Sequence, residues 1–203
     1  MDIPYDQREL TSAMLRGVYQ SGILTVLNSA STDPLALWEC KQQHDATGTS
    51  TIEIVDDDEI SAPALSIQGS ELSKTYIACP RSPTSVLAIK LPYLVLVLKN
   101  TNQLVGFEVE VMDERGLARS FWIANYESSP QIHPRLSVLP LRLDQGWNHM
   151  TFDLAQMTRR VYGTQYTETR RIRFHASARL RFIFFADRLI SEEDLPSELR
   201  LYY

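Results

Sequence analysis

The chain is written largely in short runs in which apolar positions alternate with polar ones or follow without a break, each bounded by turn-forming residues. ILTVL (23–27), LALWEC (35–40), ALSIQ (64–68), TYIAC (75–79), LPYLVLVL (91–98), FEVEVMD (107–113), SFWIAN (120–125), LSVLPLRL (136–143), HMTFDL (149–154), RRIRFHA (170–176) and RLRFIFF (179–185) are about eleven predicted strands. In FEVEV, Phe107, Val109 and Val111 share one face while Glu108 and Glu110 share the other, as a half-buried antiparallel strand requires. RRIRFHA and RLRFIFF follow the same alternation, and Ala176-Ser177-Ala178 between them reads as a tight hairpin.

Two segments read as helix. Asp153 can cap LAQMTRRVY, which puts Leu154, Met157 and Val161 on one face and Gly163 at the left-handed stop. Ser191 can cap EEDLPSEL, with three acids in the first turn. Many strands with few helices predict an all-β fold, a single jelly-roll-like β-sandwich with two short helices. Residues 41–63 carry the acidic run Asp56, Asp57, Asp58, Glu59 and read as a surface loop holding at most one short strand. The first dozen residues read as an exposed arm that could start a helix after Asp6.

Composition narrows the class. With 203 residues, 44% hydrophobic and 22% charged, the chain can bury a core without disulfides or metals. Cys40 and Cys79 are too few for a disulfide framework or a cysteine zinc site, and a polar start without sequons predicts a reducing intracellular compartment. The longest apolar run, Leu87 to Leu98, is broken by Lys90 and Pro92, so no membrane span is expected.

Charge is uneven. Residues 1–114 hold 7 basic and 16 acidic side chains, whereas residues 115–203 hold 13 and 9. Arg159, Arg160, Arg170, Arg171, Arg173, Arg179, Arg181 and Arg188 face only Glu168 and Asp187 within 159–188, a candidate footprint for an acidic partner. The plain alternative is that these arginines alternate with core residues and keep a sheet face wet. Some can also pair internally, with Asp144 and Asp187 as local acids.

Catalytic patterns are missing: the chain has no GxxxxGK[ST], GxGxxG or GxSxG. His44, His133, His149 and His175 show no spacing that presents two nitrogens to one metal. No enzyme activity, metal or cofactor is therefore expected. Trp122, Tyr126, Trp147, Tyr162 and Tyr166 cluster in the second half, which leaves a sugar-stacking module as the alternative function, although aromatics in a sandwich usually belong to the core.

Longer strings then outweigh the local chemistry. QSG (20–22), LALWE (35–39), TYIACP (75–80), LAIKLPYLVLVLKN (87–100), LPLRLDQGWNHMTFDL (139–154), TRRVYGTQYTET (158–169) and RIRFHASARLRFIFFADRLISEEDLPSELRLYY (171–203) occur in one order from about Met14 to the last residue. Together they resemble the family of cilia- and flagella-associated protein twenty. The resemblance implies a non-catalytic β-sandwich inside axonemal doublet microtubules, at the inner junction where the B-tubule closes onto the A-tubule. It implies α- and β-tubulin and the parkin-coregulated-gene protein as neighbours, an axonemal and basal-body location, and no nucleic acid or membrane partner. Under it, Arg159, Arg160, Arg170, Arg171, Arg173, Arg179 and Arg181 are the expected partner-binding residues, since guanidinium groups suit carboxylates. Three departures stand out: residues 1–13 are an extension, 41–63 is longer than the family's loop, and LARSFWIANY (117–126) replaces a basic strand by Phe121 and Trp122.

Overall fold

The computed structural model describes residues 14, 15, 17, 19–42, 50–175 and 177–201. The arm at 1–13, His44 and Ala176 lie outside the described residues. The strands, in chain order, are β1 (Ile23–Asn28), β2 (Glu39–Lys41), β3 (Thr51–Asp57), β4 (Ala62–Gln68), β5 (Tyr76–Cys79), β6 (Tyr93–Asn100), β7 (Gly106–Asp113), β8 (Ala118–Ala124), β9 (Leu136–Pro140), β10 (Gly146–Asp153), β11 (Tyr166–His175) and β12 (Ala178–Ala186). One helix, α1 (Leu154–Tyr162), joins β10 to β11. No helix among the described residues is long and apolar enough to cross a membrane.

The strands form two sheets. The first runs β10-β6-β12-β4-β3 with β1 also on β12, and the second runs β2-β5-β11-β7-β8-β9. All the pairings are antiparallel except β8 with β9. The inner faces meet in one core that includes Leu65, Leu96, Phe107, Ile172, Phe174, Ile183 and Phe185, with the Phe107 and Phe174 rings stacked at 5.8 Å. The fold is thus the expected β-sandwich.

Helix α1 forms where its capping residues place it. The Gln156 N–H donates to Asp153 Oδ1 at 2.8 Å, and Gly163 takes φ 67° while its N–H donates to the Arg159 carbonyl. Leu154 and Thr158 are buried, and Met157 and Val161 pack on the core. The C-terminal helix does not form. Leu195-Pro196 interrupts it, leaving two 3₁₀ turns, Glu192–Asp194 and Ser197–Leu199, and Ser191 bonds to the Asp194 carboxylate at 2.7 Å instead of capping the backbone. This tail still carries Leu195, Leu199 and Leu201 onto the outer face of the first sheet. There they bury Val95, Val97, Phe182 and Phe184 in a second small core with Ile60.

Two strand expectations need correction. LALWEC contributes only its end to β2, because Leu35 to Leu37 form a turn closed by the Trp38 N–H on the Leu35 carbonyl. The hairpin expected between RRIRFHA and RLRFIFF does not form, because β11 pairs in the second sheet and β12 in the first.

Candidate interaction surface

That split between sheets decides the fate of the arginine-rich stretch. Arg170, Arg171 and Arg173 lie on β11 in the second sheet, Arg179 and Arg181 on β12 in the first, and Arg159 and Arg160 in the last turn of α1. The seven residues therefore do not form one face.

On β11, alternation sends Ile172 and Phe174 inward and Arg171 and Arg173 outward. Arg173 is registered with Glu108 and Arg171 with Glu110 on β7. Arg170 Nε lies 3.1 Å from Glu110, and Arg173 Nη1 lies 3.6 Å from Glu108. Arg171 turns instead to the loop after β5, donating to the carbonyls of Pro80, Ser82 and Ser85 at 2.8–3.0 Å. Glu108, Glu110, Arg171 and Arg173 line a depression of about 70 Å³. Beside it the Arg173 guanidinium lies over the Tyr76 ring at 5.1 Å. His175 lies between Tyr76 and Trp122, bonded through Nδ1 to the Leu72 carbonyl, and burial pulls its pKa below the ordinary imidazole value. Gly106 makes room for Trp122, since a Cβ there would meet the indole at 2.8 Å.

On β12 both arginines serve the fold. Arg179 Nη1 donates to Asp57 at 2.6 Å, and the same carboxylate accepts from Lys99 at 3.0 Å and from the Trp147 indole at 3.2 Å. Burial alone would raise the Asp57 pKa, but the bonds from Arg179, Lys99 and Trp147 outweigh it and lower the value to about 2. Arg181 is 5% exposed and bonds the Ser29 hydroxyl at 3.0 Å and the Pro63 carbonyl at 3.3 Å. It occupies a register break between Leu180 and Phe182, which turns Phe182 and Phe184 to the outer face.

The acids that hold these arginines are thus Asp57, Glu108 and Glu110, on strands distant in sequence. Asp187 pairs with its neighbour Arg188 at 3.4 Å, whereas Asp144 uses its backbone to hold Asn148. Asp57 lay inside the expected surface loop. Its readable signal was the alternation of TIEIV (51–55) leading into the acidic run. Arg159 and Arg160, by contrast, are exposed and have no ion-pair partner among the described residues.

The clustered aromatics are engaged as well. Tyr162 donates its hydroxyl to the Ser120 carbonyl and packs on Phe121, and Tyr166 donates to the Ile89 carbonyl at 2.7 Å. Trp147 is tied to Asp57 and Trp122 to His175, while Tyr126 remains 40% exposed. No group of three or more His, Cys, Asp or Glu among the described residues is placed to hold a metal.

Comparison with known proteins places this architecture. A family 11 carbohydrate-binding module from Clostridium thermocellum, solved with a β-1,3-1,4-mixed-linked tetrasaccharide, is 10% identical with a TM-score of 0.41, covering 85% of this chain and all of that one. A likeness that remote carries no argument. The CFA20 domain, in contrast, matches residues 14–203. Cilia- and flagella-associated protein 20 of Chlamydomonas reinhardtii is 44% identical over 189 residues, covering 93% of this chain and 97% of that protein. Its counterpart in Paramecium tetraurelia is 40% identical over 191 residues, covering 93% and 96%. With identity at this level across both lengths, the chain belongs to the CFA20 domain family of cilia- and flagella-associated proteins.

Proposed function

We propose that this protein is a non-catalytic structural component of ciliary doublet microtubules, placed inside the doublet at the inner junction, where it helps close the B-tubule onto the A-tubule. Its neighbours there are α- and β-tubulin and the parkin-coregulated-gene protein, and its sites of residence are the axoneme and basal body. The observation that carries this reading is the match from residue 14 to the end of the chain at up to 44% identity. The architecture supports it: two cross-braced sheets with a satellite core under the C-terminal tail suit a connector that bears load. Sugar stacking is the weaker reading, because the rings themselves are packed: Tyr162 and Tyr166 lie against the main core, with Phe121 and the Arg119 guanidinium on Tyr162, and Trp147 lies against the second core.

The test is the behaviour of a tagged chain in ciliated cells. Retention in detergent-extracted axonemes, together with B-tubules that detach at the inner junction when the chain is deleted, supports the proposal. Complete release with membrane and matrix proteins, or intact junctions after deletion, overturns it.

A further inference from the structure

Four exposed arginines gather at one corner of the sandwich, and two of them, Arg115 and Arg135, lie outside the 159–188 stretch. The organiser is Asp113 at the end of β7. Its carboxylate accepts the backbone N–H groups of Arg115 and Leu117 and the Arg119 guanidinium at 2.9–3.0 Å, which shapes the tight β7–β8 turn. Arg119 continues outward, donating to the Pro134 carbonyl and lying over the Tyr162 ring at 4.9 Å. Ser120 N–H donates to the Arg135 carbonyl, Tyr162 donates to the Ser120 carbonyl, and Glu114 N–H donates to the Gln165 carbonyl. Three segments distant in sequence are thus locked together: the 113–119 turn, the 131–136 loop and the end of α1.

Side chains at this corner have an unusual composition. Arg115, Arg135, Arg159 and Arg160 are exposed without ion-pair partners among the described residues. The carboxylates near them include Asp113, which is consumed by its internal bonds, the exposed Glu114, Asp153, which caps α1 and lines a depression with Arg159, and Glu168, registered with Met112. Between the arginines the surface is apolar: Leu117 is 47% exposed, Ile132 51% and Leu136 42%. The protein as a whole carries a net charge of −5, so the corner opposes the sign of the rest. Arginines rimming exposed aliphatic side chains are a composition enriched at protein interfaces.

We infer that this corner, formed by the β7–β8 turn, the 131–136 loop and the end of α1, is the docking surface for an acidic protein face, one that sets Asp and Glu carboxylates around an apolar patch. The inference rests on the proposed role as a doublet connector and gives that role a contact surface. A nucleic-acid backbone fits less well, because phosphates can pair with the arginines but offer nothing to cover Leu117, Ile132 and Leu136.

The experiment is co-sedimentation of the full chain with salt-washed axonemal doublets across a potassium chloride series. Four proteins are compared: wild type, Arg115→Glu/Arg135→Glu/Arg160→Glu, Leu117→Ser/Ile132→Ser/Leu136→Ser, and Lys41→Glu. Lys41 is exposed on β2, at the opposite edge of the same sheet from β9, and serves as the control. The expected result is a loss of more than tenfold in affinity for the triple variant with a flattened salt dependence, and a change under twofold for the control. Leu117→Ser/Ile132→Ser/Leu136→Ser should lose at least fivefold while keeping the salt dependence. Should the reversal fail to fold, the same three positions changed to Gln carry the test. Triple-variant binding within twofold of wild type overturns this inference and leaves the connector role standing. Absence of wild-type binding overturns the connector role itself. Tighter wild-type binding to a duplex oligonucleotide than to doublets overturns the assignment of a protein partner.

Discussion

Arg181 donates through Nη1 to the Ser29 hydroxyl at 3.0 Å, at the fork where β12 exchanges one neighbour for another. From Ala178 to Leu180 β12 pairs with β4, and from Phe182 to Ala186 with β1. The hydroxyl of Ser29 passes the connection on to the Pro63 carbonyl at 2.6 Å, so the arginine ties β1 and β4 to the strand they share. Removing it takes the donor from the buried Ser29 hydroxyl oxygen and the guanidinium from its place over the Phe182 ring. Arg181→Ala should therefore cost about 2–4 kcal/mol in urea unfolding. A loss below about 0.5 kcal/mol would show that the fork holds without it.

Acid should weaken the fold in two stages. Burial depresses the pKa of His149 and His175, so the unfolded chain takes up protons that the folded chain refuses, and stability falls as pH drops below about 6.5. Asp57 has a folded pKa of about 2 against an ordinary 3.8, so its contribution is complete above about pH 5 and is lost progressively as pH falls toward about 2. Asp57→Asn should lower stability at pH 7 and flatten the second stage. A melting-temperature profile that stays parallel to wild type from pH 5 to 2 would contradict the role of Asp57 as the shared acceptor of Arg179, Lys99 and Trp147.

Much of the fold was legible because it depends on local patterning. Alternation marks β7 and β11 face by face, and the Asp153 cap and Gly163 stop place α1. What stayed hidden depends on pairing at a distance. The register break at Arg181 reverses the sidedness of β12 halfway along, so Phe182 and Phe184 look inward by simple alternation yet belong to the outer satellite core. The 51–57 stretch becomes a full strand through β4, which supplies a partner for its backbone. The arginine run looked like one patch because proximity in sequence suggested a hairpin, whereas β11 and β12 pair in different sheets. The candidate surface was correspondingly half readable: Arg159 and Arg160 stood out, while Arg115 and Arg135 join them only through the Asp113 turn and the 131–136 loop.

Gly106 and Trp122 offer a local check on the outer face of the second sheet. A Cβ at 106 would meet the indole at 2.8 Å and the Ala124 methyl at 3.2 Å. Gly106→Val should displace the ring from its edge-on contact with His175, shift the tryptophan emission to the red, and cost about 1–3 kcal/mol. An unchanged spectrum with unchanged stability would mean that the ring does not rest on that glycine.

Tyr166 ties the end of the core to the chain leading into β6. Its hydroxyl donates to the Ile89 carbonyl at 2.7 Å and lies 3.0 Å from the Thr169 hydroxyl, and burial raises its pKa. Tyr166→Phe keeps the packing and deletes the bonds, so it should cost about 1–2 kcal/mol in urea unfolding. A neutral substitution would show that the Thr169 N–H, which already donates to the Ile89 carbonyl at 2.6 Å, satisfies it alone.

The central claim, residence at the inner junction, is tested most directly by a cryo-EM map of doublet microtubules from cells expressing the chain, compared with a map from cells lacking it. The account predicts density for a two-sheet sandwich at the seam between the A- and B-tubule walls in the first map, and its loss in the second. Identical density at the seam in both maps would contradict it.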